Sequence, residues 1–307
     1  MRPGTGLPPA GSASYIATDD QPERRRTALN TETSGQGSEA SAAQLRRLAD
    51  RIRLRAVQMV APQGLGYLGQ ALSAAEQYAA VYGAALRPGT DRVVCSPGHY
   101  VLAAYAAAAE TGLIDQALLA SYGQDGSSLA AIGTEHGPVP DYTCGSLGQG
   151  LSAAAGFALA DRLRGRPGGR TFAFLSDGEL QEGQVWEAAM FAGHYRLSRL
   201  TVLLDANNSQ VDGPVDGITT IEPIAAKWQA FGWDAADLDG HDAAGIAAAL
   251  AAAAGAARPA VLICRTSTRH GLDCLPPDAD GHFIKLPPGL ADAAVAELTA
   301  RLDRHAR

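Results

Sequence analysis

Residues 171–179 read TFAFLSDGE and residues 200–209 read LTVLLDANNS, and these two stretches decide the fold. Each begins as a short apolar run containing β-branched or aromatic residues, and the segment between the two runs has the character of a helix. Two such runs joined by a helix form a βαβ unit, which places both strands parallel in one sheet. Asp177 and Asn207 follow the runs, so we expect them at the carboxyl edge of the sheet, where open α/β sheets bind ligands.

The two polar side chains at these strand ends have the chemistry of a hard-cation site. A carboxylate from Asp177, an amide oxygen from Asn207 and a free backbone carbonyl are the ligands that Mg²⁺ or Ca²⁺ takes when it bridges a diphosphate. Asp-Gly and Asn-Asn are also frequent turn formers, so an ordinary strand terminus with a turn explains the same residues. The pair by itself leaves both interpretations open.

The composition excludes several classes of function. A chain of 307 residues with 46% hydrophobic residues can bury a full three-layer domain, and its net charge of −7 argues against a nucleic-acid partner. The four cysteines have the spacing of neither a metal site nor a disulfide framework, which favours a reducing, cytoplasmic location. No apolar run is long enough to span a membrane, and the first residues lack an apolar signal core.

The chain is expected to divide into a short tail and one domain. Residues 1–40 are dominated by Gly, Pro, Ser and Thr, which is typical of a disordered tail, and an arm that packs on a partner is the alternative. Helical periodicity begins over Ala42–Val60, and helices then alternate with short apolar strands. The predicted strands are Val93–Cys95, Thr171–Leu175, Leu200–Asp205 and Ala260–Cys264. Residues 41–307 are thus predicted to form a three-layer α/β/α domain around a mostly parallel, doubly wound sheet.

Longer blocks of sequence surround the two strand ends and occur in a recognisable order. They are DRVVCSPGH at 91–99, GSLGQGLS at 145–152, SDGELQEGQVWE at 176–187, FGW at 231–233 and DGHD at 239–242. The Asp-Gly pair with a downstream Asn resembles the thiamine diphosphate signature. Together the blocks resemble the N-terminal, diphosphate-binding half of the transketolase family, over roughly residues 45–290. The resemblance implies thiamine diphosphate, with Mg²⁺ or Ca²⁺, as the cofactor.

The resemblance assigns cofactor and metal positions residue by residue. Asp177, Asn207 and the backbone carbonyl of Ser209 correspond to the metal ligands. His99, in the Gly-His pair, corresponds to a histidine that reaches the diphosphate, although a lone histidine is more often structural. The other cofactor contacts that the resemblance implies are Gly145, Ser146, Leu147, Gly178, Glu179 and His282.

The positions that correspond to the substrate side depart from the family pattern. Tyr67 stands in GLGYLGQALSAA (64–75) where a substrate-contacting histidine is usual, and tyrosine cannot carry a proton near neutral pH as imidazole does. His136 is the candidate for a second such histidine. His282 corresponds to the histidine that contacts cofactor and substrate, although Phe283 replaces the usual glycine after it. We expect catalytic roles for Tyr67, His136 and His282, with cofactor binding retained and substrate choice altered.

Two glutamates follow the Asp-Gly pair. Glu182 and Glu187 do not share a clean helical face at their spacing, and as surface carboxylates they would be unremarkable. In the family the corresponding pair lies near the dimer interface and links two active sites through buried acids, where desolvation raises the pKa. The resemblance therefore implies a catalytic role for both glutamates at an interface.

The resemblance also implies a partner. Thiamine diphosphate becomes reactive when a glutamate hydrogen-bonds N1′ of its pyrimidine ring, and in this family that glutamate belongs to a second domain. The chain ends at Arg307 before such a domain. We therefore expect a second subunit that carries the pyrimidine-binding domain and the activating glutamate, in an α2β2 heterotetramer.

The predicted function is that of the diphosphate-binding subunit of a split transketolase-like enzyme, which transfers a two-carbon ketol unit from a ketose phosphate to an acceptor. One alternative delivers the same unit to an acyl-carrier or specialised-metabolite acceptor instead of an aldose phosphate. A second alternative, from another class, is a non-catalytic regulatory subunit, against which Asp177, Asn207 and Glu182 argue. Neither a nucleic acid nor a membrane is expected as a partner.

Overall fold

The computed structural model of the protein describes residues 40–134, 136–165 and 168–305. The tail expected in residues 1–40 lies, apart from its last residue, outside them. The strands of the described residues are β1 (Leu65–Gly66), β2 (Arg92–Pro97), β3 (Tyr142–Cys144), β4 (Thr171–Ser176), β5 (Leu200–Ala206), β6 (Asp234–Asp239), β7 (Ala260–Arg265) and β8 (Ile284–Lys285). Six of them form one sheet in the order β3-β2-β4-β5-β7-β6, and every neighbouring pair is parallel.

Helices cover both faces of this sheet. They are α1 (Ala42–Val60), α2 (Leu68–Ser73), α3 (Ala75–Ala80), α4 (Val101–Glu110), α5 (Gly150–Leu163), α6 (Gly183–His194), α7 (Val215–Ile218), α8 (Ile224–Ala230), α9 (Ala243–Ala253) and α10 (Pro288–Arg304). One apolar core contains residues of α1, α3, α4, α9 and α10, and the other contains residues of α5, α6 and α8. Among the described residues, no helix combines the length and apolar character needed to cross a bilayer.

The alternation of side chains along the central strands explains the two cores. Phe172 and Phe174 of β4 point into the first core, whereas Ala173 and Leu175 point into the second. Successive side chains of a strand face opposite sides of the sheet, so a strand buried on both faces is apolar at nearly every position. The three-layer α/β/α fold predicted from the sequence is confirmed.

The elements predicted individually are present, and others were missed. Helix α1 has the predicted bounds, and Ser41 caps it through a capping box with Gln44. The four predicted strands correspond to β2, β4, β5 and β7. The edge strands β3 and β6 were missed because β3 has three residues and β6, DAADLD, is a partly exposed strand of residues with low strand propensity.

A small second sheet connects two distant parts of the chain. β1 pairs antiparallel with β8, with Leu65 opposite Lys285 and Gly66 opposite Ile284. Tyr67 follows β1 and His282 precedes β8, so this pairing brings both side chains to one place. The approach is close, because a Cβ atom on Gly69 of α2 would lie 1.8 Å from the carbonyl oxygen of Gly281.

We predict that Gly69→Ala destabilises the protein, because the added methyl group would force α2 away from the backbone of Gly281. The expected loss in the free energy of unfolding is about 1–3 kcal/mol, the usual effect of overpacking. Urea unfolding measures this loss. Gly156→Ala is the matched control, since nothing lies within 4 Å of a Cβ atom at this position in α5. Equal stabilities of Gly69→Ala and the parent protein would contradict the close approach.

Candidate active site

The ends of β4 and β5 bring Asp177 and Asn207 together at the carboxyl edge of the sheet. Ser176 and Asp205 are register partners in the two strands, and the backbone N–H of Asp177 donates to the carbonyl of Asp205 over 3.1 Å. The Asp177 carboxylate accepts from the N–H of Gly178 (2.8 Å) and from the N–H of Asn208 (2.5 Å). These bonds hold the carboxylate where the two strand ends meet.

Asp205, which was not among the predicted site residues, orders this strand edge. Its carboxylate is buried and accepts five side-chain hydrogen bonds, three on Oδ2 and two on Oδ1. The donors are Ser73 Oγ (2.6 Å), Tyr100 Oη (2.9 Å), Asn207 Nδ2 (2.7 Å), Gln77 Nε2 (3.0 Å) and Thr266 Oγ1 (2.6 Å). An acidic residue inside an otherwise apolar strand was the sequence signal that could have identified it.

The hydrogen bond to Asp205 fixes how Asn207 is oriented. Because Nδ2 donates to Asp205 and to the hydroxyl of Tyr100 (3.1 Å), the amide oxygen of Asn207 is left free to accept. The N–H of Ser209 donates to that oxygen over 2.9 Å, which folds the chain around it. An amide oxygen, the carboxylate of Asp177 and the local backbone carbonyls therefore form a set of hard oxygen donors.

The charge at this edge also fits a cation. Burial, and secondarily the charge of Asp205, raise the pKa of Asp177 to about 7, and burial likewise raises the pKa of Asp205. No Lys, Arg or His side chain forms an ion pair with either carboxylate within the described residues. Two adjacent buried carboxylates without a protein cation are stabilised by a bound divalent ion. Asp177, Asn207 and Ser209 thus have the chemistry expected of a metal site.

Four aromatic rings lie together beside the strand edge. The ring of Tyr67 lies 5.0 Å from that of His99, 5.6 Å from that of His282 and 5.0 Å from that of Phe283, measured between centroids. The centroids of His99 and His282 are 5.1 Å apart. We call these four residues the aromatic cluster. The structure thus brings together Tyr67, His99 and His282, which the sequence analysis assigned to the site from three separate segments.

Both histidines of the aromatic cluster favour the neutral form. Burial, and then the neighbouring His282, lower the pKa of His99 to about 3. Burial is also the main cause that lowers the pKa of His282. Neutral imidazoles donate one hydrogen bond and accept one, so near neutral pH these rings act as directional hydrogen-bonding groups.

Glu179 organises the loop between β3 and α5. Its carboxylate is completely buried and accepts from Ser96 Oγ (2.5 Å) and from the N–H of Gly148 (2.7 Å), while Ser96 Oγ accepts from the N–H of Gly150 (3.0 Å). Burial raises the pKa of Glu179 to about 7. Glu179 therefore acts on the loop, whereas Gly145 and Ser146 lie exposed and Leu147 half-buried on the surface side of the same loop.

Of the remaining residues named from the sequence, His136, Glu182 and Glu187 lie at the surface, whereas Gly178 is buried. His136 is exposed between α4 and β3, where its backbone N–H donates to Thr134 Oγ1 over 3.4 Å. Glu182 is the exposed N-cap residue of α6, and Glu187 is exposed one turn further along the helix. Gly178 begins the short helical turn after Asp177 and donates to the Asp177 carboxylate.

A second cluster of titratable groups, Glu76, His241 and His270, lies among α3, the β6–α9 loop and the loop after β7. The imidazole rings of His241 and His270 stack with centroids 3.6 Å apart, and Glu76 faces His241 Nδ1 at 3.3 Å and His270 Nε2 at 3.9 Å. This grouping was not predicted from the sequence, because Glu76 lies 165 positions before His241 in the chain.

The geometry of this second cluster suits ion pairs and not a metal ion. His241 Nε2 accepts from the N–H of Ser267 over 2.9 Å, so the neutral ring carries its hydrogen on Nδ1, which then has no lone pair for a metal. The guanidinium of Arg53 also lies 2.5 Å from Glu76. Burial alone would raise the pKa of Glu76, but Arg53 and the hydrogen bonds from His241 and Arg53 lower it to about 2.

We predict that His270 makes the protein sensitive to acid. Burial, and then the charge of Arg53, lower the pKa of His270 from 6.5 to about 4. The unfolded chain therefore binds the proton more readily than the folded one, and stability falls as the pH falls from about 6.5 to about 4. His270→Gln should reduce this acid-induced loss in the free energy of unfolding by roughly 1–3 kcal/mol, after allowance for the partial exposure of the His270 side chain.

Urea unfolding at pH 7 and pH 4.5 measures the effect. His194→Gln serves as the control, because His194 is exposed at the end of α6. If the parent and His270→Gln lose the same stability between the two pH values, the role assigned to His270 is wrong.

Comparison with known proteins agrees with the class that this fold and site define, an α/β domain that binds a diphosphate cofactor at the carboxyl edge of its sheet. Residues 44–286 match the family model described as transketolase, thiamine diphosphate binding domain. The chain therefore belongs to the transketolase family and corresponds to its N-terminal, thiamine diphosphate-binding domain. This confirms the resemblance proposed from the sequence.

Two similar proteins are matched over nearly their whole length. A transketolase family protein of Sinorhizobium fredii is 39% identical over 78% of this chain and 90% of its own length. The 6-deoxy-6-sulfo-D-fructose transketolase subunit of a Clostridium species is 37% identical over 83% of this chain and 96% of its own length.

Full-length transketolases extend well beyond the matched region. Human transketolase is 30% identical over 84% of this chain, which covers 42% of the human protein. The crystal structure of Campylobacter jejuni transketolase has the same fold, with a TM-score of 0.76 over 85% of this chain and 45% of that one. The chain thus spans less than half the length of these transketolases.

Proposed function

We propose that the protein is the diphosphate-binding subunit of a split transketolase-like enzyme, which transfers a two-carbon ketol unit from a ketose phosphate to an acceptor. The observation that carries this proposal is the oxygen-donor set of Asp177, Asn207 and Ser209 beside the aromatic cluster. The family to which the chain belongs supports it. So does the similarity of the chain to a relative named as a transketolase subunit, which is 37% identical and matched over 96% of its own length.

Each group of site residues has a distinct task in this proposal. Asp177, Asn207 and the Ser209 carbonyl hold Mg²⁺ or Ca²⁺, and His99 with the backbone of Gly178 contacts the diphosphate of thiamine diphosphate. The bound cofactor supplies carbanion stabilisation at its thiazolium ring, which an amino-acid side chain cannot provide. Tyr67 and His282 correspond to substrate-contacting positions of the family and lie in ring contact with His99, so we assign them to contacts with the substrate, and His282 also to the cofactor.

A second subunit completes the site by supplying the pyrimidine-binding domain and the activating glutamate. Gly145, Ser146 and Leu147 are accessible to it in the loop that Glu179 holds. Helix α6 carries the exposed Glu187 together with the exposed apolar side chains of Met190 and Phe191. We propose that this surface is covered in an α2β2 assembly that buries more than about 2,000 Å², as obligate complexes do.

The four free cysteines fit a cytoplasmic location.

The substrate-side residues would select the donor and the acceptor. Tyr67 and Phe283 replace a histidine and a glycine of the family pattern, and they pack edge to face in the aromatic cluster. This change supports a substrate other than the ordinary sugar phosphates. An acyl-carrier or specialised-metabolite acceptor is one candidate, and a sulfonated ketose is a donor to include because a similar subunit is named for one. The non-catalytic alternative is disfavoured by the complete oxygen-donor set.

The test of this function is reconstitution with a candidate partner subunit. The chain alone should show no ketol transfer, and activity should appear when the partner, thiamine diphosphate and Mg²⁺ are added together, across a panel of ketose phosphates and sulfo-ketoses. Turnover by the chain alone, with partner contamination excluded by mass spectrometry, would contradict the split-enzyme proposal. A complex that binds the cofactor but turns over no substrate of the panel would favour the regulatory alternative.

Asp177→Ala should abolish Mg²⁺-dependent cofactor binding, because the diphosphate would lose the cation that bridges it to the protein. Isothermal titration of the reconstituted complex with thiamine diphosphate should show at least a hundredfold weaker binding, on the order of 3 kcal/mol. Asp292→Ala, an exposed aspartate on α10, is the control and should bind normally. Undiminished affinity of Asp177→Ala would remove the metal assignment.

Tyr67→Phe tests whether the tyrosine hydroxyl contacts the substrate. Loss of an essential hydrogen bond should lower kcat/KM by the equivalent of about 1–3 kcal/mol while cofactor affinity stays constant. Tyr67→His should shift preference toward ordinary sugar phosphates. Tyr82→Phe, in the first core, is the control. If neither Tyr67 variant changes turnover or substrate preference, Tyr67 only packs in its loop.

A further inference from the structure

Gln70 is a buried amide on α2 with a direct contact to the aromatic cluster. Its side-chain Nε2 lies 2.9 Å from Nδ1 of His282. The residue is only 1% exposed, and its Oε1 has no hydrogen-bond partner within the described part of the chain. Packing therefore holds the Gln70 side chain in place, and its amide nitrogen forms a hydrogen bond with His282.

The backbone around this contact leaves little freedom to either side chain. The pairing of β1 with β8 fixes the segments that carry Gln70 and His282, and Gly69 allows the Gly281 carbonyl to lie against α2. The N–H of His282 donates to Asp280 Oδ1 over 2.8 Å, which ties down the loop before β8. The β1–β8 pairing and the bond to Asp280 thus hold the backbone that places the His282 imidazole against the Gln70 amide.

The hydrogen bond decides which nitrogen of His282 carries the hydrogen. An amide nitrogen only donates, so Nδ1 of His282 must offer its lone pair, and the neutral ring then carries its hydrogen on Nε2. His282 also lies against the backbone of Ser209, beside the proposed metal ligands. The reverse orientation of the amide would need the hydrogen on Nδ1 and would leave Nε2 unable to donate.

We propose that Gln70 is a positioning residue that holds His282 in the tautomer with hydrogen on Nε2, so that this ring presents a hydrogen-bond donor to an oxygen atom of the ligand. The consequence for catalysis rests on the function proposed above, whereas the tautomer itself does not. In this role His282 stabilises negative charge on a ligand oxygen and does not remove a proton, because its free lone pair is already engaged by Gln70.

The tautomer can be observed directly in the full chain labelled with ¹⁵N-histidine, by long-range ¹H–¹⁵N correlation spectra at pH 7.5. The His282 signal is assigned by its loss in His282→Asn. We expect the Nε2–H tautomer in the parent protein. In Gln70→Glu the carboxylate only accepts, so His282 should change to the Nδ1–H form or to the imidazolium. In Gln70→Met the two tautomers should mix.

Two controls separate this effect from a general disturbance. Gln63→Met removes an amide that donates to the Tyr122 carbonyl, and it should leave the His282 signal unchanged. The signal of His270, which belongs to the second cluster, should stay constant in all Gln70 variants. If a Gln70 variant does not fold, the spectrum of the parent protein still decides, because an Nδ1–H tautomer there would overturn the proposal.

Activity of the reconstituted enzyme provides the second readout. Gln70→Met should lower kcat/KM roughly tenfold with unchanged thiamine diphosphate affinity. An unaltered kcat/KM with an altered tautomer would overturn the positioning role. If the complex has no ketol-transfer activity, the proposed function fails, while the Nε2–H tautomer and its loss in Gln70→Glu remain separately measurable.

Discussion

One buried carboxylate, that of Asp205, is the constraint on which the site depends. Five side chains donate to it, from α2, α3, the segment before α4, the end of β5 and the segment after β7. A buried carboxylate is tolerated when hydrogen bonds satisfy its oxygens, and this one uses those bonds to gather the elements around the strand edge. It also turns the amide oxygen of Asn207 away from itself, and its charge adds to that of Asp177. The same interaction that orders the edge therefore also prepares it for a divalent cation.

Much of the fold could be predicted from the sequence because the signals are local. The buried central strands are short apolar runs between turn formers, and α1 shows both a regular apolar face and its capping residue. Asp177 and Asn207 could be placed side by side for a related reason, since parallel neighbouring strands end at the same edge. The blocks of sequence that resemble the transketolase family then indicated thiamine diphosphate as the cofactor and His99 as a residue that contacts its diphosphate.

What the sequence did not reveal depends on contacts between distant segments. β1 and β8 have two residues each, too few for a periodic pattern, yet their pairing assembles the aromatic cluster. The contact of Gln70 with His282 spans 212 positions, and that of Glu76 with His241 spans 165. Glu179, which stays a predicted cofactor contact, also holds the Gly148 loop through its carboxylate, and this second role could not be seen in the sequence. Such roles become visible only when the three-dimensional neighbours are known.

The site therefore combines a part that follows the family pattern with a part that departs from it. The oxygen donors of the strand edge have the chemistry expected of the family's diphosphate-binding domain, whereas Tyr67 and Phe283 place beside His282 groups that the family pattern does not predict. The most direct test of the account is a crystal of the reconstituted complex grown with thiamine diphosphate and Mn²⁺. The account predicts an anomalous peak bonded to Asp177, Asn207 and the Ser209 carbonyl oxygen. Bound cofactor with its metal ion away from these three residues would contradict it.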